Sequence, residues 1–191
     1  MFARTVRPAV SLLLAMTALV GIIYPLVITG IATVTFPRQA AGSLIMKDGK
    51  LIGSTLIGQS FSDPKYFWGR PSATTPQPYN GVASSGSNLG PLNPALIDAV
   101  QAYAKALHDA DPDNSGPIPV DLVTAAASGL DPEISPAGAR YQAGRVARAR
   151  GIELAQVEAL IASHVQGRTL GFIGEPRVNV LELNLALDEL H

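Results

Sequence analysis

The sequence predicts an α+β protein with a single N-terminal transmembrane helix, and three observations carry this prediction. Residues 8–37 contain no charged side chain, the next part is rich in turn residues, and the second half spaces its apolar residues as helices do. Helical and extended segments without alternating β-α-β units are typical of a mixed α+β fold. We therefore expect a short cytoplasmic N-terminus (1–8), a transmembrane helix (9–36) and one exported, periplasmic α+β domain (37–191).

The apolar segment is long enough to span a bilayer, because a hydrocarbon core about 30 Å thick needs roughly 20 apolar residues. Arg4 and Arg7 precede it, and the first acidic residue of the chain is Asp48. This charge distribution predicts a cytoplasmic N-terminus and an exported domain. A cleavable signal peptide would be shorter and end in a small-x-small site, and a buried helix would carry a polar face. We interpret the segment as a retained anchor, with a kink expected at Pro25.

The composition of the exported part excludes several classes of function. It holds twelve basic and fifteen acidic residues, a net charge of −3. Nucleic-acid binding would require a basic face, so no nucleic-acid partner is expected. The chain contains no cysteine, which excludes disulfides, thiolate catalysis and iron–sulfur ligation. The domain must be stabilised by its own core or by a partner.

A β-hairpin and a long ordered loop are predicted for the first part of the domain. Asp48-Gly49 lies between apolar segments in residues 43–61, and Asp-Gly favours the type I′ hairpin turn. Residues 62–93 are rich in Pro, Gly, Ser and Asn, as linkers are, yet they hold four of the eleven aromatic residues. We therefore interpret them as an irregular loop built for contact.

Three helices and a final strand are predicted in the remaining sequence. An Asn-Pro pair at 93–94 and a Ser-Pro pair at 135–136 are typical helix starts, and the second helix is expected to run to residue 150. Apolar spacing in 154–165 indicates a third helix. From Leu181 to Leu187 the apolar residues alternate with period two, which predicts a strand, and the phase slip just before it suggests a bulge or a strand end.

An acidic cluster resembles a calcium loop only superficially. Asp109, Asp111 and Asp113 alternate, but an EF-hand loop beginning at the first of them would need Gly at its sixth position and Glu at its twelfth. Asn114 and Val120 stand there instead. We interpret the cluster as a solvated acidic turn and predict no metal site, since the three histidines are also scattered.

The sequence specifies no reaction. Ser87 falls within a residue of a Gly-x-Ser-x-Gly nucleophile motif, without an obvious histidine partner, and no phosphate-binding loop occurs. Four arginines in the predicted second helix are interpreted as a solvated face, with binding to anionic lipid or to an acidic partner as the alternative. These arginines are Arg140, Arg145, Arg148 and Arg150.

Several long segments, taken together and in order, carry a family resemblance. They are 24–25, 36–45, 58–61, 66–73, 79–80, 83–94, 119–124, 128–135, 142–151 and 174–187. On these segments the chain resembles the C subunit of the bacterial potassium-importing P-type ATPase, the Kdp system. Each segment alone would be weak evidence, whereas the ordered set is specific.

The resemblance implies a non-catalytic accessory subunit of the bacterial inner membrane. Its implied partners are a P-type ATPase catalytic subunit, a channel-like potassium-binding subunit and the lipid bilayer, and it is needed for their assembly and activity. ATP, Mg and potassium are used by the whole complex, and this chain is expected to bind no cofactor directly. The chain itself contains neither the Asp-Lys-Thr-Gly phosphorylation motif nor a Thr-Val-Gly-Tyr-Gly filter.

Two mechanisms remain open under this resemblance. The exported domain covers the outer ion entrance, or the subunit promotes ATP binding by the catalytic subunit through its Gln-x-x-Arg stretch, here Gln142 and Arg145. The predicted topology places Gln142 outside whereas nucleotide is cytoplasmic, so we interpret it as a structural residue. An alternative function is a membrane-tethered periplasmic protein that binds a small ligand in an apolar pocket, and a third is an anchored hydrolase using Ser87.

The site predictions are therefore predictions of partner contacts. Aromatic residues can anchor in a partner's pocket, an arginine can make bidentate polar contacts, and polar residues of a Gly-rich loop can hydrogen-bond outward. Each would equally fit a role in holding its own loop together. The candidates are Tyr24, Pro25, Trp68, Arg70, Tyr79, Asn80, Ser87 and Asn88.

Overall fold

The computed structural model describes residues 2–190, which divide into two compact units between Leu44 and Ile45. The first unit is a long apolar helix followed by a short one. An 18-residue stretch within Arg4–Thr35 has a mean hydropathy of 2.3, and the helix is long and apolar enough to cross a membrane. The predicted apolar helix is thus present. Its parts are α1 (Phe2–Ala18), a π-helical turn (Leu19–Ile23) and α2 (Tyr24–Thr35), and α3 (Pro37–Ala40) follows.

The π-helical turn accommodates Pro25. A proline inside a continuous α-helix lacks a donor and collides with the carbonyl four residues earlier. Here the N–H of Tyr24 donates to the carbonyl of Leu19, five residues back, and Pro25 falls in the first turn of α2. The disturbance expected at Pro25 therefore takes the form of a local change in helix type.

The predicted hairpin is confirmed. Strands β1 (Leu44–Lys47) and β2 (Lys50–Ser54) form a two-stranded sheet. Asp48 and Gly49 have φ values of 51° and 73°, the positive pair that a type I′ turn requires.

All three predicted helices are present, and the first two have the starts that their sequences predict. The Asn93 side chain accepts from the N–H of Ala95, and the Ser135 side chain accepts from the N–H of Gly138. Gly151 ends the second of these helices in the left-handed conformation, with φ 67°. The helices are α4 (Pro94–Ala110), α5 (Pro136–Arg150) and α6 (Leu154–His164), and a 3₁₀ turn (Val120–Leu122) precedes α5.

The prediction of a strand from Leu181 to Leu187 is wrong. Strand β4 (Val178–Asn179) pairs antiparallel with β3 (Glu133–Ile134), and helix α7 (Val180–Leu187) follows directly. The Asn179 side chain caps α7 by accepting from the N–H of Glu182 at 3.1 Å, so the slip in the alternation marks a strand end. Most of α7 is buried, and a helix buried on several faces need not show a clear 3.6-residue period.

The core of the second unit lies where α5, α6 and α7 pack together. Helix α5 packs on α6, and α6 packs on α7 and β4. Phe67 enters this core from the long loop and is fully buried. The largest fully buried apolar side chains are Phe67, Ile134, Ile161, Leu183, Leu187, Val146, Val157 and Val178.

A clamped aromatic loop and the candidate partner interface

Two buried amide side chains hold the aromatic part of the long loop against the helices. The N–H of Phe67 donates to Asn184 Oδ1 at 2.8 Å, and Asn184 Nδ2 donates back to the Phe67 carbonyl at 3.0 Å. Gln142 of α5 repeats this arrangement on the next residue, accepting from the Trp68 N–H at 2.8 Å and donating to the Trp68 carbonyl at 3.0 Å. Each amide satisfies both backbone groups of one residue, as a neighbouring strand would. We call this arrangement the amide clamp.

Arg145 extends the amide clamp. Its Nη1 donates to the carbonyls of Pro64 and Tyr66, and its Nη2 donates to Gln142 Oε1 at 2.7 Å. The guanidinium lies over the Trp68 ring, 4.5 Å from its centroid, where a cation–π attraction is expected. Burial lowers the pKa of Arg145 to about 10, so the side chain stays protonated at neutral pH.

Gln142 uses its full hydrogen-bonding capacity inside the chain. Its oxygen accepts from Trp68 and Arg145, and its nitrogen donates to Trp68 and, at 3.3 Å, to the Gly138 carbonyl. A glutamine amide offers two donors and two acceptor lone pairs, and all four are engaged here.

A second arginine ties the same loop to α7. Arg150 donates from Nε to the Lys65 carbonyl at 2.8 Å and from Nη2 to Asp188 Oδ1 at 2.6 Å. Its guanidinium also lies over the Tyr66 ring at 4.9 Å, and the Tyr66 hydroxyl donates to Asp188 at 3.1 Å. The loop, α5 and α7 therefore share one polar network.

The interpretation of the α5 arginines as a solvated face is wrong for Arg145 and Arg150. Arg145 is buried and Arg150 is bonded to the loop and α7, whereas Arg140 and Arg148 are exposed, and no bond is described for Arg140 within residues 2–190. Arg148 forms an ion pair with the buried carboxylate of Asp111. The solvated turn predicted around Asp111 is accordingly wrong at that residue, because a buried carboxylate needs a partner and Arg148 supplies it. Arg148 and Asp111 are 37 positions apart in the sequence, so the sequence alone does not reveal this pairing.

Tyr79 organises the next part of the loop. Its hydroxyl donates to the Arg70 carbonyl at 2.5 Å, and its backbone N–H donates to Ser72 Oγ at 2.8 Å. Gly58 and Gly69 lie against this side chain, and a Cβ at either position would collide with it. Burial, followed by the nearby Asp131 carboxylate, raises the pKa of Tyr79 to about 12.

The remaining loop candidates fall into an inner and an outer group. Arg70 pairs with Asp131 at 3.0 Å, and the Asn80 side chain bonds its own loop at Thr75 and Val82. Ser87 and Asn88 are exposed, and no side-chain hydrogen bond is described for either within residues 2–190. Arg70 and Asn80 therefore stabilise the loop, whereas the other two side chains point toward solvent.

An open cavity of about 320 Å³ separates the loop from α4. It brings together three of the predicted contact residues, Trp68, Arg70 and Tyr79, and faces them with Tyr103 and Leu107 of α4.

Exposed apolar side chains continue along the sequence from the loop into α4, where Tyr103 also lines the cavity. Val82 and Leu92 are 97% and 92% exposed, and Ile97 and Tyr103 of α4 are also exposed. We call residues 81–103 the outer face. Leu107 is the only α4 residue that is buried, so α4 contributes little to the core and most of its surface remains available.

Tyr24 and Pro25, the two candidates in the apolar helix, lie directly after the π-helical turn. The side chain of Tyr24 is exposed in the chain alone. Sequence reasoning missed Asn184, Arg150 and Asp111 as organising residues. For Asn184 a signal was present, because a polar residue amid the leucines of 181–187 requires a partner if it is buried.

Comparison with known proteins identifies the family. The family model KdpC, described as K+-transporting ATPase, c chain, matches residues 6–189. The chain belongs to the KdpC family. The potassium-transporting ATPase KdpC subunit of Dechloromonas aromatica is 65% identical over 184 residues, covering 96% of both chains. The KdpC subunit of Variovorax paradoxus is 64% identical over 183 residues, which cover 96% of this chain and 95% of that protein. The KdpC subunit of Sorangium cellulosum is 63% identical over 182 residues, which cover 95% of this chain and 96% of that protein. The resemblance seen in the sequence is confirmed.

Removing the Gln142 amide is expected to release the aromatic loop. Gln142→Ala leaves the Trp68 backbone groups and one Arg145 donor unpaired, and we expect a loss of about 3 kcal/mol, since each orphaned buried group costs about 1–3 kcal/mol. Urea unfolding of the protein in mild detergent, followed by fluorescence of Trp68, the single tryptophan, measures this loss. Gln101→Ala on the exposed side of α4 is the matched control and should change stability little. Equal midpoints for the two variants would contradict the clamp.

Tyr79 is expected to titrate later than an ordinary tyrosine. Its folded-state pKa of about 12 exceeds the ordinary 10, so the neutral phenol stabilises the fold below pH 10, and this contribution is lost as the pH rises toward 12. Absorbance at the tyrosinate band should show no difference between wild type and Tyr79→Phe up to about pH 10.5, and a difference above it. A Tyr79 phenol that ionises near pH 10 in the folded protein would refute the assignment.

Proposed function

We propose that this chain is the accessory c subunit of a K+-transporting ATPase complex, anchored in the bacterial inner membrane by α1 and α2. The single observation that carries the proposal is the KdpC family match over residues 6–189. The relatives described above are KdpC subunits of potassium-transporting ATPases at more than 60% identity. The catalytic P-type subunit and the channel-like potassium-binding subunit are its proposed partners.

The proposed orientation places the N-terminus in the cytoplasm and residues beyond the span in the periplasm. It is supported by Arg4 and Arg7 before the apolar segment and by the absence of acidic residues before Asp48. The segment Arg4–Thr35 provides the required length. Tyr24 and Pro25, next to the π-helical turn, are proposed to face a neighbouring helix of the complex, since such bulges are frequent at functional positions.

The outer face is proposed to contact the partner subunits. It combines highly exposed apolar side chains with the outward polar groups of Ser87 and Asn88, a mixture typical of the core and rim of interfaces. The aromatic loop behind it is held rigidly by the amide clamp and by Tyr79. A preformed loop loses little conformational entropy on binding, which favours assembly.

Of the two mechanisms, the geometry favours a covering role over contact with nucleotide. For Gln142 to bind ATP it would have to release the Trp68 backbone or Arg145, because its four hydrogen-bonding positions are engaged. Releasing buried partners is costly. We therefore infer that Gln142 and Arg145 act by fixing the loop, and that the exported unit acts where the ion enters from outside.

The cavity beside α4 supports a second candidate function, a tethered small-ligand binding protein. Its volume of about 320 Å³ is at the lower end for ligand sites, and Arg70 and Ser72 supply polar groups among aromatic walls. A ligand-induced rise in melting temperature of the protein without any partner would favour this alternative.

Negative charge on the outer face is expected to prevent assembly without unfolding the protein. The double variant Val82→Asp, Leu92→Asp should lose at least tenfold in recovery of the catalytic and channel-like subunits when the tagged chain is purified from native membranes in mild detergent. Charged groups that must be desolvated at an interface cost several kcal/mol. Circular dichroism melting should be unchanged, since both side chains are almost fully exposed.

Val120→Asp is the control for this experiment, because Val120 is exposed but lies outside the outer face. It should co-purify as the wild type does. Recovery of the wild-type chain alone, monomeric and stable, would refute the accessory-subunit proposal. Normal recovery with the double variant would refute only the assignment of the interface.

Topology is tested with single cysteines, because the chain has none of its own. On intact spheroplasts a membrane-impermeant maleimide should label Val120→Cys, which is exposed and lies outside the outer face, but should label Thr5→Cys only after permeabilisation. The expected contrast follows from the two arginines on the cytoplasmic side of the span. The reverse labelling pattern would overturn the proposed orientation.

A further inference from the structure

A second apolar projection lies far along the sequence from the outer face. The segment 166–177 folds back on itself, with bridges between Gln166 and Arg177 and between Thr169 and Ile173. At its end, Leu170, Phe172 and Ile173 are 79%, 72% and 50% exposed. We call residues 169–174 the apolar tip. Isolated exposed apolar residues are ordinary, but three large ones within four consecutive positions form a patch of the kind that marks contact with a protein or a membrane.

The backbone of the apolar tip is well defined. Thr169 and Ile173 exchange two backbone hydrogen bonds, each of 2.9 Å, and the Gly171 N–H donates to the Arg168 carbonyl at 3.1 Å. Leu170 has a φ of 54° and Gly171 a φ of 83°. A leucine in the left-handed region is uncommon, so the turn holds this side chain outward against a conformational preference.

Charge is neutralised at the base of the apolar tip. Arg168 Nη2 lies 2.8 and 2.7 Å from the two carboxylate oxygens of Glu175. No residue of 169–174 carries a charge. The result is an uncharged apolar end above a closed ion pair, which can enter the boundary between lipid headgroups and acyl chains without burying an unpaired charge.

The chain itself brings a bilayer within reach. Only eight residues, 36–43, connect the end of α2 to β1, and even fully extended they span no more than about 30 Å. A unit of the size of residues 45–191 has a radius of gyration of about 15 Å. If α1 and α2 span a bilayer as proposed, a connector of this length keeps the membrane surface within about 30 Å of β1, whereas contact with any particular protein surface depends on assembly.

We propose that the apolar tip inserts into the interfacial layer of the membrane on the side of the exported unit, as a second lipid contact besides the span. This inference rests on the proposed membrane anchoring. Leu170, Phe172 and Ile173 supply the inserted surface, and the Arg168–Glu175 pair remains at headgroup level. Such a contact restricts rotation of the exported unit about its short connector and so presents the outer face in a limited set of orientations.

The test uses the full-length chain reconstituted in vesicles of phosphatidylcholine and phosphatidylglycerol. Phe172→Cys carries an environment-sensitive fluorophore, and a portion of the lipid carries a nitroxide near the top of the acyl chain. We expect a blue-shifted emission and quenching several-fold stronger than for the same label at Val82→Cys, an equally apolar and more exposed control site. Leu170→Cys should behave as Phe172→Cys does.

The outcomes separate this inference from the proposed function. Flotation of the vesicles reports the anchor: protein that does not float refutes both the anchoring and the tip insertion. Protein that floats but whose label at 172 is no more quenched than at 82 refutes the tip insertion alone. Shielding of the label only when the other subunits are present, without lipid quenching, would assign the apolar tip to a protein contact and overturn the proposal.

Discussion

The second unit, residues 45–191, depends on one interaction above others, the pairing of two buried amides with the backbone of Phe67 and Trp68. A loop that enters a core carries polar N–H and C=O groups with it, and these must find partners. Asn184 and Gln142 provide them from two different helices, so Phe67 is fully buried without orphaned backbone groups. Loss of either amide would destabilise the loop and also the packing of the loop against α5 and α7.

This constraint explains how a segment rich in Gly and Pro becomes rigid. Regular hydrogen bonding does not extend over 62–93, and order comes instead from side chains that bond backbone: the two amides, Arg145, Arg150 and the Tyr79 hydroxyl. Glycines contribute where space is needed, as at Gly58 and Gly69 against the Tyr79 ring. The rigid part of the loop then forms one wall of the cavity beside α4, and the exposed part continues into the outer face.

The sequence predicts the elements that are determined by neighbouring residues, and it fails for those that are determined by contacts between residues far apart in the chain. The apolar helix, the Asp48-Gly49 hairpin and the capped helices α4, α5 and α6 follow from local signals. Helix α7 does not, because Leu and Ala at alternate positions fit both a strand and a buried helix, and burial decides between them. The role of the α5 arginines was missed for a related reason: their partners lie 37 to 85 residues away in sequence. Of the candidate site, composition predicted an ordered contact loop but not which side chains face inward.

The division between inward and outward groups bears on function. Most polar side chains of the aromatic loop and of α5 are engaged within the chain, which leaves few of them for a ligand without breaking the fold. Large apolar side chains, by contrast, are exposed along the apolar helix, on the outer face and at the apolar tip. Exposed apolar surface of this extent is unfavourable in water and is stabilised by burial against lipid or protein. These surfaces support the proposal that a membrane and partner subunits cover the chain, and its contribution to transport is then expected to come from where it holds those partners.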